Sequence, residues 1–503
     1  MARTLQTFTV IPVLLLLSSC GGMSDPGQGM SDSGKSQPPP TSTTYMVGGN
    51  VTGLSGNGLM LELNGGSDIP VESNGAFTFP GSLSSGTQYN VIIKDQPAVR
   101  REICTVTNGA GTVGMADIGN VSINCVVAVG FVYVVDPNSQ IGAYGITPGT
   151  GAPIPDGSFS IPTASVYQAM VAAPSGNFLY VLGQEPSQIS TFAIDPDQGA
   201  LTPVNGLVDI GPGGATSMVM SPSGSFLFVE STDTLSESVQ TFKVDAATGA
   251  LTPGVILQRS ISCIPGACAG AGRFVVGSDS RYLYRLDLDL ANNTGSVTPY
   301  AIDPVTGALT AGTAVSFAAN AANTDGTSMA IDTLGRFLYV ATSAGVPLMD
   351  TSATVATYMI DPKSGALSPG STSSVANGAF LMVPDPTGRY LYSIYWGGDQ
   401  LISNILSLAV DPSSGALSQI GPAVPIAVTT DVAACDPSGG FLFLGAGGGA
   451  PFTGNLGGND LTSFTIATGG VSPGAVSLSG EGMHIPVESG STPPGGSALA
   501  IVE

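Results

Sequence analysis

The second half of the first hundred-odd residues gives way, at about residue 128, to a chain that repeats itself, and this repeat restricts the fold more than any other feature. One repeated element is an apolar-aromatic run that usually follows a Gly-containing turn. It reads FVYV at Phe131, FLYV at Phe178, FLFV at Phe226 and YLYR at Tyr282, then FLYV at Phe337, YLYS at Tyr390 and FLFL at Phe441. The second element is a strand entering a turn, of the form Ile-Asp-Pro-x-x-Gly-Ala-Leu. It begins at Ile194, Val244, Ile302, Ile360 and Val410, with worn copies at Ile146 and Ile466. Each element therefore occurs seven times, at intervals of roughly 50 to 60 residues.

One period suffices for a four-stranded antiparallel unit. In the third repeat an apolar inner strand, Thr216 to Ser221, ends at Pro222-Ser223-Gly224, which turns the chain into Phe226-Leu227-Phe228-Val229. A third strand, Val239 to Val244, meets the turn from Asp245 to Gly249, and a fourth follows Leu251. The turn Asp bonds its own backbone and the Gly takes positive φ. Those acidic turns can also be read as calcium loops, but turn chemistry already accounts for each residue in them. Seven such units predict an all-β chain with a seven-bladed β-propeller over residues 128–503, whose blades close a ring with short, protected edges. The first aromatic run, at Phe131, has no inner strand ahead of it. The last residues, Ser497 to Val502, have strand character, so the C-terminal strand is expected to complete the first blade.

The elements "DPxTGALT" and "PSGxFLYV" resemble the seven-bladed lactonase-like propellers, a family that includes the bacterial 6-phosphogluconolactonases. The resemblance covers about 375 residues and carries the fold; the shared elements build blades and are not a catalytic site.

Ahead of the repeats lie three shorter segments. Residues 1–19 have a weak positive start at Arg3 and a short apolar run, Val10 to Leu17, ending in Leu17-Ser18-Ser19-Cys20. This resembles a bacterial lipobox, which implies a signal peptide, acylation of Cys20 and attachment to the cell envelope. Gly21 in place of Asp implies the outer membrane by the same resemblance. Residues 20–44 are Gly-, Ser- and Pro-rich and read as a disordered tether. Residues 45–127 carry short strand-like runs between Gly, Asn and Ser turns, expected to form a small β-sandwich that resembles Ig-like or carboxypeptidase-regulatory-like modules. With an exported chain, Cys104 is expected to pair with Cys125 and Cys263 with Cys268, leaving Cys435 in an apolar strand.

The net charge of −22, with 13 Lys and Arg in the whole chain, argues against nucleic acid as a partner. Neither a Walker motif, a His-rich metal spacing nor a Gly-x-Ser-x-Gly elbow is present, so no cofactor or metal is expected. Aligning the repeats places Gln168, Ser217, Arg273, Ser328, Leu381, Asp431 and Ser497 around the mouth where inner strands begin. The single histidine, His484, and Glu481 lie in the connection to the closing strand. Lactone opening needs a base for water and a cation or donor for the developing oxyanion. His484 or Asp431 can be the base and Arg273 the stabiliser. Alternatively, His484 is a loop residue and Arg273 caps the Cys263–Cys268 loop. With eight Lys or Arg in the propeller, a phosphorylated substrate is disfavoured. Two readings follow. The first is a binding or scaffold module for a protein, glycan or small molecule at the mouth. The second is a hydrolase opening a small lactone.

Overall fold

A computed structural model describes residues 43–98, 101–135, 140–161, 167–184, 187–211, 213–232, 236–260, 274–289, 292–318, 328–343, 352–376, 381–397, 402–426, 432–445, 460–467, 473–478, 483–484 and 499–502. Strands account for all the regular structure among them. Seven of the nine sheets are the blades, each ordered from an inner strand outward in sequence, and the other two form the N-terminal domain.

The first blade departs from that order in the expected way. Its inner strand is Leu499–Val502, which pairs antiparallel with Phe131–Val135 through Leu499↔Val134 and Val502↔Phe131. The ring thus closes by hydrogen bonds between the first propeller strand in sequence and the C-terminal strand. The apolar faces close it as well, since Phe441 and Phe443 of the last blade share a core with Val132, Val134 and Tyr144 of the first.

The aromatic runs form the second strand of every blade and are buried throughout, apart from the half-buried leading Tyr282 and Tyr390. Leu179, Leu227, Leu283, Leu338, Leu391 and Leu442 face one neighbouring blade, and Tyr133, Tyr180, Phe228, Tyr339 and Tyr392 face the other. A strand covered on both faces needs apolar residues at consecutive positions, which explains the unbroken FLYV pattern. Each fully buried Phe or Leu contributes on the order of 2 kcal/mol.

The second repeated element locks these strands together. In the turn of the third blade, the Asp245 carboxylate accepts from the Ala247 and Thr248 amides at 2.9 Å each. The Gly249 amide donates to the Asp245 carbonyl at 2.8 Å. These bonds hold the Asp245 carboxyl below its ordinary value, through Thr248 first and then Ala247. Gly249 has φ +71°, and a Cβ on it would lie 2.5 Å from the Phe178 ring of the preceding blade. The same meeting occurs around the whole ring: Gly199 on Phe131, Gly307 on Phe226, Gly365 on Tyr282, Gly415 on Phe337, Gly474 on Tyr390 and Gly151 on Phe441. Hydroxyl groups fasten the same turns. Tyr133 donates to the Gly199 carbonyl at 2.9 Å and Tyr180 to that of Gly249 at 3.1 Å. In the third blade Phe228 has no hydroxyl, and Thr241 on the next strand donates to Gly307 at 3.1 Å instead.

The N-terminal domain is a sandwich of β1 (Thr44–Thr52), β2 (Leu59–Leu63), β3 (Ser67–Val71), β4 (Gly75–Ser84), β5 (Gln88–Asp95), β6 (Glu102–Thr107), β7 (Ala110–Thr112) and β8 (Ile118–Val127). One sheet runs β4-β1-β8-β6 and the other β3-β2-β5-β7. Val47, Leu61, Phe79, Val121 and Ile123 fill the space between them. Cys104 and Cys125 stand directly opposite on β6 and β8 and are bridged. Such a closed loop stabilises by roughly 3 kcal/mol. The buried Glu102 carboxylate accepts from the Ser55 and Gly56 amides at 2.6 and 2.9 Å, which pins the turn after β1. Cys20, Cys263 and Cys268 lie outside the described residues. Cys435 is half-buried on an inner strand, and burial followed by Asp385 and Asp436 pushes its thiol well up, away from the reactive thiolate.

Two measurements check this account. Gly206 has φ +66° with nothing near its would-be Cβ, whereas Gly249 has the same backbone and a ring in the way. Gly206→Ala should therefore cost about 1 kcal/mol of strain. Gly249→Ala should cost that plus about 1–3 kcal/mol of overpacking, read as the difference between two denaturant titrations. The second check concerns pH. Asp156 sits at the bulge in the outer strand of the first blade, between Pro155 and Gly157, and its Oδ2 is buried without a hydrogen-bond partner. Burial raises its carboxyl to about 6. The folded state then favours the protonated form, so this group's stabilising contribution is complete below about pH 4 and is lost as the pH rises through about 6. Asp156→Asn should raise the melting temperature near pH 8, and the gain should vanish near pH 4.

Candidate functional site

The two faces of the ring differ in chemistry. On the face bearing the Asp-Pro and Pro-Ser-Gly turns, the Gly-on-aromatic contacts join each blade to the one before it. The other face holds the connections from each outer strand to the next inner strand and from the second to the third strand of each blade. Every one of these connections includes residues outside the described set. The mouth is therefore seen through the strand ends that reach it.

Register identifies a common row toward the mouth end of the inner strands, each residue opposite the fifth residue of the neighbouring aromatic strand. The pairs are Ala169↔Leu182, Ser217↔Glu230, Ser328↔Ala341, Leu381↔Ile394 and Val432↔Gly445. Three of the seven residues aligned from sequence, Ser217, Ser328 and Leu381, stand in this row. Gln168 does not. It is the extra residue between the pairs Tyr167↔Gly183 and Ala169↔Leu182, so its blade presents Ala169. In the last blade the row residue is Val432, one position after Asp431, and a shift of one along a strand exchanges its faces. Arg273, Asp431, Glu481 and Ser497 lie outside the described residues. The His484 backbone is described: it pairs with Asp460, at the mouth end of the third strand of the last blade. Three strand spacings of about 4.8 Å put this outer edge roughly 14 Å from the inner strand. His484 thus belongs to the expected face but to the rim of its blade.

The described part of the row is uncharged: one Ala, one Val, one Leu and two Ser. Charge gathers one strand further out, between the third and fourth blades. Arg285 takes the position that Val181, Val229 and Val340 occupy in other blades, yet it is only 1% exposed. Its Nη2 donates to Glu237 Oε2 and lies 3.4 Å from Glu230 Oε1, while its Nε lies 3.5 Å from Asp287 Oδ1. Thr216, the bulged residue of the third inner strand, reaches Glu230 Oε2 at 3.3 Å. Burial works against the Arg285 charge, but Asp287, Glu230 and Glu237 outweigh it and hold the guanidinium protonated. Its Nε and Nη1 make no hydrogen bond, but the group is sealed between the blades and its charge is compensated by the surrounding carboxylates, so Arg285 fixes a seam and does not face a substrate. Sequence reasoning passed over this network, although Arg in YLYR and Glu after FLFV were visible breaks in the pattern.

Comparison with known proteins agrees with the architecture. No curated protein sequence matches the chain. Among solved structures, a periplasmic gluconolactonase from Pseudomonas aeruginosa is similar, with 21% identity and a TM-score of 0.53 over 74% of this chain and 99% of that one. A candidate 6-phosphogluconolactonase from Bacteroides uniformis shows 17% identity and a TM-score of 0.55 over 74% and 99%. Another from Bacteroides fragilis shows 17% identity and a TM-score of 0.55 over 74% and 98%. At these identities the likeness establishes a shared fold. The family model described as lactonase, 7-bladed beta-propeller, matches residues 168–268 and 217–434, together more than half of the sequence. With the seven closed blades, that match shows that the chain belongs to the lactonase family of seven-bladed β-propellers.

Proposed function

We propose that this chain is an exported lactonase-family propeller, anchored at the cell envelope through an acylated Cys20, that binds a small, neutral, oxygen-rich ligand at its mouth. An unphosphorylated sugar lactone is the type of compound meant. The observation that carries this reading is the uncharged row formed by Ala169, Ser217, Ser328, Leu381 and Val432. Hydroxyl and apolar side chains suit a polyol ring, and they offer a phosphate dianion no counter-charge. Among the described residues, the cation closest to that row in register, Arg285, is paired with Glu230, Glu237 and Asp287. A scaffold role for the same mouth, with a glycan or protein as partner, draws on the same surface chemistry.

Family membership favours a second reading, in which the mouth opens the lactone it binds. Water activated by Asp431 or His484 would attack the ring carbonyl, and Arg273 would stabilise the oxyanion before the ring C–O bond breaks. The place of His484 on the blade rim makes Asp431, which directly precedes the inner strand, the stronger of the two bases.

The purified chain, titrated calorimetrically with sugar and acyl lactones near neutral pH, should bind neutral lactones saturably and gain nothing from a phosphate group. Ring opening should stay at background. Hydrolysis that falls about 10²-fold in Arg273→Ala or Asp431→Asn would replace binding by catalysis as the function. Mass spectrometry of the mature N-terminus should find acylated Cys20; a free N-terminus elsewhere in the leader would remove the anchor from the proposal.

A further inference from the structure

Three residues, Ala128 to Gly130, connect the small domain to the first propeller strand, and all three are tied down. The Ala128 amide donates to the Arg101 carbonyl at 2.7 Å. The Val129 amide donates to the Ile146 carbonyl at 2.9 Å, and the Gly130 carbonyl accepts from Ile146 at 2.9 Å. Ala128 and Ile103 belong to the same buried core as Phe131, Tyr133 and Leu179 of the first two blades. Ile103 presses so closely on the first blade that a Cβ on Gly145 would lie 2.1 Å from its Cδ1.

Arg101 explains why the domain docks at this corner. Two arginines within the propeller lie over the aromatic ring that follows them and reach a turn carbonyl of the next blade. Arg281 stands 5.6 Å from the Tyr282 ring centroid and donates to the Pro362 carbonyl. Arg336 stands 5.0 Å from the Phe337 ring centroid and donates to Gly388 at 2.6 Å. In the first blade the residue before Phe131 is Gly130, which has no side chain for this role. Arg101 of the small domain supplies it. Its guanidinium lies 6.0 Å from the Phe131 ring centroid, Nε donates to the Pro196 carbonyl at 3.3 Å, and Nη1 donates to Val129 at 2.9 Å. Its amide donates to Asp197 of the same turn. The first blade's corner is thus built partly from another domain.

The topology of the sandwich gives this contact a direction. β1 and β8 run parallel, with Val47 opposite Ile118 and Thr52 opposite Asn124. β8 ends at the propeller, so β1 begins at the opposite pole, roughly 30–40 Å away along the strands. The docking site itself lies on the turn face, across the ring from the mouth. We infer that the small domain is a rigid spacer: it holds the propeller by its turn face through Arg101 and Ile103, and the mouth is directed away from the pole where the chain enters. That this pole is the membrane-proximal one rests on the anchor proposed above; the docking does not.

The test uses the full chain carrying Cys20→Ser, so that acylation plays no part. Small-angle scattering should fit one fixed arrangement of the two domains, and calorimetry should show them melting together. Arg101→Ala combined with Ile103→Ala should broaden the distance distribution and split the melt into two transitions. Arg101→Lys, which keeps the charge and loses the planar fork, should broaden it less and covers the case in which the double variant folds poorly. Arg281→Ala should lower the propeller's melting temperature and leave the distribution unchanged. Scattering of the unsubstituted protein that requires many domain orientations, or a double or Lys variant indistinguishable from it, would overturn the inference. A missing acyl group on Cys20 would leave this result standing and remove only the anchor.

Discussion

The contact between a turn glycine and the ring of the preceding blade organises this molecule. It joins the two repeated sequence elements across each blade interface, and it recurs at all seven interfaces. Two demands coincide at the glycine. The turn requires positive φ, and the ring beneath requires the absence of a Cβ. A propeller gains its stability from interfaces between successive blades, so a device repeated at each interface acts around the whole circle. The last interface receives the same device, Gly151 on Phe441, although it joins residues from distant parts of the chain. Closure therefore needs no special chemistry beyond the pairing of Leu499–Val502 with Phe131–Val135.

Against that uniform apolar background, the seam between the third and fourth blades stands apart. An ionic cluster stands where the second, third and fifth blades carry Val181, Val229 and Val340, with Arg285 beside Glu230, Glu237 and Asp287. Buried ion pairs contribute little net stability compared with apolar side chains of similar volume, because desolvation offsets the attraction. They are intolerant of partial loss, since removing one member leaves charge without a partner. The seam thus fixes one geometry at the mouth end of two blades, where Thr216 bulges from the inner strand to reach Glu230. The described part of the mouth row stays neutral. Charge is thus buried between blades, and hydroxyl or apolar groups stand at the described row.

The small domain extends the same logic outside the ring. Arg101 reproduces with a foreign strand what Arg281 and Arg336 do within the propeller, and the bridge between Cys104 and Cys125 holds the two strands flanking that contact. The propeller turn face is thereby used for attachment.

The repeat in the sequence determined the blades, their number and their strand order, because burial on both faces demands consecutive apolar residues and tight turns demand Asp and Gly at set places. It also determined the closing strand, since a ring of four-stranded blades lacks one strand at Phe131 and the last residues supply it. Tertiary structure decided what register and distant packing control. Inserting one residue at Gln168 moved Ala169 into the mouth row, an event invisible to alignment on the aromatic runs because a bulge shifts pairing without altering composition. The rim position of His484 depends on which strand its segment joins, and two residues of strand carry no periodic signal. Arg285 finds Glu230 across 55 residues of sequence, and Arg101 finds Pro196 across 95, so only the assembled blades bring them together. Local chemistry wrote the blades into the sequence; partners separated by a whole blade or a whole domain are set by three-dimensional packing, which local pattern does not encode.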